Sequence, residues 1–196
     1  MPCPAAMHSH TWIRPALLLA TLVLAVPQQA PAAGRVETMA APANWTSYRD
    51  PRMGFALDFP ASIFAAVKSD PTAALARHTS RRSGLALASR DGRASLLVAV
   101  FENVDRAPIE RYRARALAAN YKDARITFQR SEEDWFVVSG FRGQDIFYER
   151  VVFSCGGKVI NVWGLIYPSA DRQVYDRVVE SVAVSFRPVA RRDSGC

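Results

Sequence analysis

The hydrophobic positions follow several distinct rhythms along the chain. The first is no amphipathic rhythm at all: residues 15–26 form an apolar run, with Thr21 its one hydroxyl residue, closed by Pro27. Twelve residues fall short of the roughly 20 that a membrane-spanning helix needs. Small residues follow at the spacing a signal peptidase reads, Ala30-Pro31-Ala32 and then Ala33. Residues 1–33 are therefore expected to be a secretory signal and its cleavage region, and 34–43 an Ala/Pro-rich flexible leader. No Cys stands in the cleavage region after the apolar run to carry a lipid. The mature chain is expected in the periplasm or outside the cell, with no transmembrane anchor.

Period two begins after the leader. Asn44 to Tyr48 and Phe55 to Phe59 flank Asp50-Pro51-Arg52-Met53-Gly54, a turn in which Pro presets φ and Gly tolerates positive φ. This predicts a β-hairpin ended by Pro60. Residues 61–83 show no sustained period and read as loop with a short helical piece. Leu85 to Ser89 and Ala94 to Phe101 then read as strands around Arg90-Asp91-Gly92-Arg93, where Asp-Gly signals a two-residue hairpin. The rhythm changes at Pro108, where Ile109, Tyr112, Ala116, Leu117 and Tyr121 recur at helical spacing.

Strands are predicted next at 125–129, 135–141, 145–155 and 158–167. The acidic run Glu132-Glu133-Asp134 makes one turn, and Gly156-Gly157 makes a two-residue hairpin. In 145–155, Phe147, Val151, Phe153 and Cys155 share one face, and Ile146, Tyr148 and Val152 the other. Two apolar faces predict a strand covered on both sides. Pro168 opens a last helix, with Val174, Tyr175, Val178, Val179 and Val182 as its stripe. Hairpin-joined strands with a helix after each group indicate an α+β class with a mainly antiparallel sheet and helices packed on it. One domain over 44–188 and a basic tail over 189–196 complete the organisation.

Composition changes this picture little. Of 25 Lys and Arg only Lys68, Lys122 and Lys158 are lysine, and the formal charge of +7 falls by one if Arg14 leaves with the signal. The longest basic runs are the pairs Arg81-Arg82 and Arg191-Arg192, so no element concentrates charge as nucleic-acid binders do. No nucleic-acid partner is expected.

Candidate chemistry is sparse. Signal removal leaves His78 as the sole histidine, in a polar Arg-rich segment, and no Gly-x-Ser-x-Gly elbow exists to pair with it. Glu132, Glu133 and Asp134 lack the alternating ligand ladder of a calcium loop. Gly156-Gly157 opens no helix, as a phosphate-binding loop would. Glu149 stands alone on an apolar strand face, either as a functional carboxylate or, the favoured reading, as the partner of an Arg at the sheet edge. No residue is assigned a catalytic, cofactor-binding or metal-binding role, and no cofactor is expected.

Cys155 and Cys196 are the mature cysteines, an even pair suited to an oxidising compartment. Three outcomes stand open: an internal disulfide, two free thiols, or a bridge between chains through Cys196. Strand phase turns Cys155 into an apolar layer and favours free thiols. The tail from Pro188 is long enough to allow the bridge.

Tyr48-x-Asp50-Pro51-x-x-Gly54-Phe55-x-Leu57-x-Phe59-Pro60 resembles the opening signature of PsbP-like secreted proteins. Val179-Glu180-Ser181-Val182 through Ser185-Phe186-Arg187 is similar to that group's C-terminal helix and following strand. The resemblance spans about residues 45–188, with Ile63-Phe64 where many relatives carry a Trp. It implies an α/β/α sandwich around an antiparallel sheet and a role in binding or assembly, and it transfers no catalytic residue. The function expected is that of an exported, non-enzymatic domain that binds an envelope protein or assists its assembly. The alternatives are a small hydrolase built from a Ser, His78 and an acid, and a cationic module adhering to anionic envelope polymers.

Overall fold

The structure is a computed structural model that describes residues 44–75, 78–190 and 196. The expected signal and leader lie outside the described residues. Among the described residues nine strands, two 3-10 turns and two helices follow in chain order. They run β1 Trp45–Arg49, β2 Ala56–Pro60, β3 Phe64–Ala66, a 3-10 turn Ala73–Leu75, β4 Arg82–Ser89, β5 Ser95–Glu102 and α1 Ile109–Asn120. The second half contains β6 Arg125–Ser131, β7 Trp135–Arg142, β8 Asp145–Ser154, β9 Val159–Pro168, a 3-10 turn Ser169–Asp171 and α2 Arg172–Ser185.

Seven strands form one antiparallel sheet in the order β3-β4-β5-β9-β8-β7-β6, and β1-β2 form a separate two-stranded sheet. The fold is α+β, as the alternation of hairpins and helices predicts. Strand β8 lies between β9 and β7, and both of its faces are covered. Ile146, Tyr148 and Val152 pack into the main core with Trp163, Val178, Val182 and Phe186. Val151 and Phe153 pack beneath α1 with Ile109 and Phe136. Phe147 joins Tyr121 and Val138 in a third cluster.

The β1–β2 hairpin lies against α2 on the main-core side, through Met53, Phe55, Leu57 and Phe59. It is tied there twice more. Asp58 N donates to Ser185 Oγ at 3.0 Å, and Ala56 exchanges backbone hydrogen bonds with Arg187. Arg187 thus adds one bridge of a strand after α2.

Several sequence expectations need correction. Residues 61–83 contain β3, an edge strand too short to show a period. The β4–β5 connection is longer than two residues, because Asp91 accepts from Ser89 Oγ and Arg93 N, and Ser89 Oγ from Ala94 N. Val174 is 53% exposed; it sits about 100° around α2 from Tyr175 and leaves the stripe at its flank. Strand β8 ends at Ser154, opposite Val159, so the turn runs from Cys155 to Lys158. Cys155 has φ +56°, followed by Gly156 at +66° and Gly157 at +78°. That left-handed step carries the Cys155 side chain off the Val151–Phe153 face, and it packs instead against the main core on the α2 side.

Candidate functional site

The α1 side of the sheet is built in rows of cross-strand partners. One row reads Leu97 on β5, Gly164 on β9, Glu149 on β8 and Val138 on β7. Directly paired residues share a face, so these four positions project towards the α1 side together. Helix α1 and the residue that ends it cover one half of that face. Tyr112 packs its ring on Phe153 and Phe136, with centroids 5.7 and 6.3 Å away. Tyr121 lies 4.8 Å from the Phe147 ring.

At the far side, the segment around Pro71 covers β4. A Cβ placed on Gly84 would fall 2.5 Å from Pro71 Cγ, so only glycine admits this approach. Asp70 anchors the segment by accepting from Thr72 N and Oγ1 at 2.8 and 2.6 Å. Arg82 Nε donates to the Thr72 carbonyl at 3.2 Å. Between these two covers the face stays open.

The opening is a cleft of about 400 Å³, lined by Pro71, Leu97, Tyr121, Arg142, Glu149 and Gly164 among others. Gly164 is the reason for its depth: the row has a side chain at Leu97, none at 164, and the next at Glu149. Val162 and Ile166 add apolar wall. Leu97 is 39% exposed, a large apolar side chain at the cleft's outer edge.

Glu149 is the polar group of the cleft floor. It accepts a hydrogen bond from the Tyr121 hydroxyl, and the Arg142 guanidinium adds a favourable field. Burial outweighs both and holds its carboxyl above the ordinary carboxylate range. Burial, then the Glu149 charge, pushes the Tyr121 phenol up, and Tyr112 is raised by the same two causes. Both hydroxyls stay protonated at neutral pH. Arg142 is held by the Asn120 carbonyl and lies 5.9 Å from the Tyr121 ring centroid. Among the described residues no ion pair joins Glu149 to an arginine; Arg142 adds only a field, and the hydrogen bond comes from a tyrosine. Chemically, the cleft offers a desolvated carboxyl group at the end of an apolar channel, suited to exchange a proton or receive a positive charge.

The other flagged residues are dispersed. His78 is exposed and lines a separate cavity of about 270 Å³ with Thr79 and Glu102; among the described residues lining it there is no serine. Glu132 pairs with Arg130 at 2.8 Å, while Glu133 and Asp134 edge a larger depression beside α1. No group of three or more His, Cys, Asp or Glu among the described residues is placed to hold a metal ion. Cys155 and Cys196 are joined as a disulfide, their Cα atoms 5.6 Å apart. Among the described residues no helix is long and apolar enough to cross a membrane.

Sequence reasoning flagged Glu149 but missed the cleft. The available signal was Gly164, a lone glycine in a strong strand pattern, which marks close approach or an open position. What it opens onto depends on its cross-strand neighbours.

No family model matches the chain, and no curated protein does. Solved structures do. The solution structure of cyanobacterial PsbP (CyanoP) from Synechocystis sp. PCC 6803 superposes with a TM-score of 0.51 at 14% identity, over 80% of this chain and 98% of that one. The Ran-binding protein Mog1p of Saccharomyces cerevisiae gives 0.46 at 10% identity, over 75% of this chain and 96% of that one. The chain has the PsbP-like fold.

Proposed function

We propose that this chain is an exported, non-enzymatic domain that binds another envelope component, a protein, or assists its assembly. The single observation that carries this reading is the uncovered half of the α1-side sheet face. A sheet face normally ends beneath a helix or loop, yet here β5 and β9 expose Leu97 and the floor around Gly164 between α1 and the Pro71 segment. Apolar surface rimmed by polar groups marks interaction sites in folded proteins. The binding and assembly roles implied by the PsbP-like resemblance support the same reading, as does the fold shared with CyanoP. Export is supported by the apolar run at 15–26 and the Ala30-Pro31-Ala32 spacing.

The test is site-directed photo-crosslinking in the native envelope. A crosslinker replacing Leu97 should give a discrete protein adduct, and one replacing exposed Arg177 on α2 should not. Equal labelling from both positions, or no adduct from position 97, overturns the reading.

A further inference from the structure

We propose that the cleft over Gly164 is a ligand site for a primary ammonium group on a short aliphatic body, with Glu149 as its anionic anchor. The inference stands on the cleft's own chemistry and does not require that a protein occupy the same face.

The row Leu97–Gly164–Glu149 sets the dimensions. Adjacent strands are about 4.8 Å apart, so Leu97 and Glu149 stand about 10 Å apart across the floor. Gly164 leaves this span without a side chain, and a Cβ there would come within 3.2 Å of the Tyr148 carbonyl oxygen. The channel therefore leads from solvent at Leu97, past Val162 and Ile166, to a carboxylate. An alkyl chain matches those walls.

The head group follows from Glu149. An ionised carboxylate offers about four acceptor positions, and Tyr121 supplies one hydrogen bond. A buried charge with vacant acceptors is costly until a cation or further donors meet it. Arg142 does not fill that role, because its guanidinium is turned to the Asn120 carbonyl. A primary ammonium is compact, brings three donors and carries the missing charge. A carboxylate head would face Glu149 directly, and an alcohol would supply one donor and no charge. The charged and titratable groups around Glu149 are Tyr112 and Tyr121 from the α1 side and Arg142 from β7. Both tyrosines remain neutral, so Glu149 is the anionic group of the floor, and Arg142, held by the Asn120 carbonyl, is the cation of the lining.

A free alkylamine and the lysine side chain of a partner share this chemistry. The experiment uses the mature chain, isotope-labelled for NMR, titrated with n-hexylammonium, Nα-acetyl-lysine methylamide, n-hexanol and hexanoate. Hexylammonium should move the amide signals of Leu97, Glu149 and Gly164 and bind at least about tenfold more tightly than hexanol or hexanoate. If the lysine amide saturates the same signals at lower concentration than hexylammonium, the source is a partner's side chain; the reverse identifies a free ligand. Glu149→Gln should weaken the amine at least about tenfold and leave hexanol unchanged.

Leu97→Lys supplies the ammonium from within the row and should block hexylammonium, which keeps the test decisive if Glu149→Gln does not fold. Amine affinity no better than that of hexanol or hexanoate overturns the proposal. So does amine binding that survives Glu149→Gln, or Leu97→Lys if that variant alone folds, and so do shifts that avoid the cleft.

Discussion

The Asp50 carboxylate, buried in the β1–β2 turn, accepts a 2.6 Å hydrogen bond from Ser83 Oγ on β4 and so joins the small sheet to the large one. Its other oxygen closes the turn by accepting from Met53 N at 2.6 Å and Arg52 N at 3.0 Å. One side chain thus sets both the local turn and its docking. Hydrogen bonds to a charged group contribute about 1.5–3 kcal/mol, and removing one partner leaves the others unsatisfied. Asp50→Ala should lower stability by about 2–3 kcal/mol in urea unfolding. Asp50→Asn, which keeps an acceptor for the turn, should cost less. An alanine variant within about 0.5 kcal/mol of wild type would show that the hairpin docks through its apolar residues alone.

Trp163 is fully buried at the centre of the main core, with its ring 5.0 Å from Tyr148 and 6.3 Å from Phe186. Truncating such a side chain removes apolar contact and leaves a cavity, at a cost of about 3–5 kcal/mol. Trp163→Ala should yield little soluble protein. Trp163→Phe should lose less than half as much, because the indole nitrogen is buried without a hydrogen-bond partner and its removal leaves nothing unsatisfied. A thermal midpoint for the alanine variant within about 2 °C of wild type would sink the claim.

Glu149 predicts a pH signature in stability. Its folded-state pKa lies above the ordinary 4.5 because burial disfavours the carboxylate. Between those two values the folded state holds the proton more tightly than the unfolded chain does. Stability from this group is therefore full below pH 4.5 and is lost as pH rises through the folded pKa. Glu149→Gln should remove that loss. The stability of the variant relative to wild type should climb with pH from about 4.5 and then level off. A difference flat from pH 4 to 8 would mean that the carboxyl is not desolvated in solution.

The disulfide between Cys155 and Cys196 closes a sequence separation of 41. In the chain-entropy account such a loop restricts the unfolded state by about 4 kcal/mol, less any strain in the fold. Protein recovered from its own oxidising compartment should show no alkylatable thiol after denaturation without reductant. Reduction, or Cys196→Ser, should lower the urea midpoint. Two free thiols per chain would eliminate the bridge.

Mass spectrometry of natively expressed protein should find a mature N-terminus at or near Ala33. An intact Met1 would remove the export reading and leave the folded domain's properties unchanged.

Local periodicity determined much of this fold. The two faces of β8 were legible because side chains alternate at period two whatever the strand's neighbours. The α1 stripe through Ile109, Ala116 and Tyr121 and the α2 stripe through Tyr175, Val178 and Val182 were legible at 3.6 residues per turn for the same reason. The Asp50-Pro51 turn was also legible, since its hydrogen bonds close within a few residues. Hairpin turns fixed the local pairings, and the Gly156-Gly157 turn already sets Glu149 opposite Gly164. Tertiary structure decided the non-local one, in which β9 also pairs with β5 and Gly164 meets Leu97. Neither β5 nor β9 encodes the other's identity, so the cleft between Leu97 and Glu149, and the covers that leave it open, could not be read from spacing. Cys155 escaped for a related reason. Its left-handed backbone belongs to a turn whose length depends on the β8–β9 register, and one such residue reverses the face that strand alternation assigns.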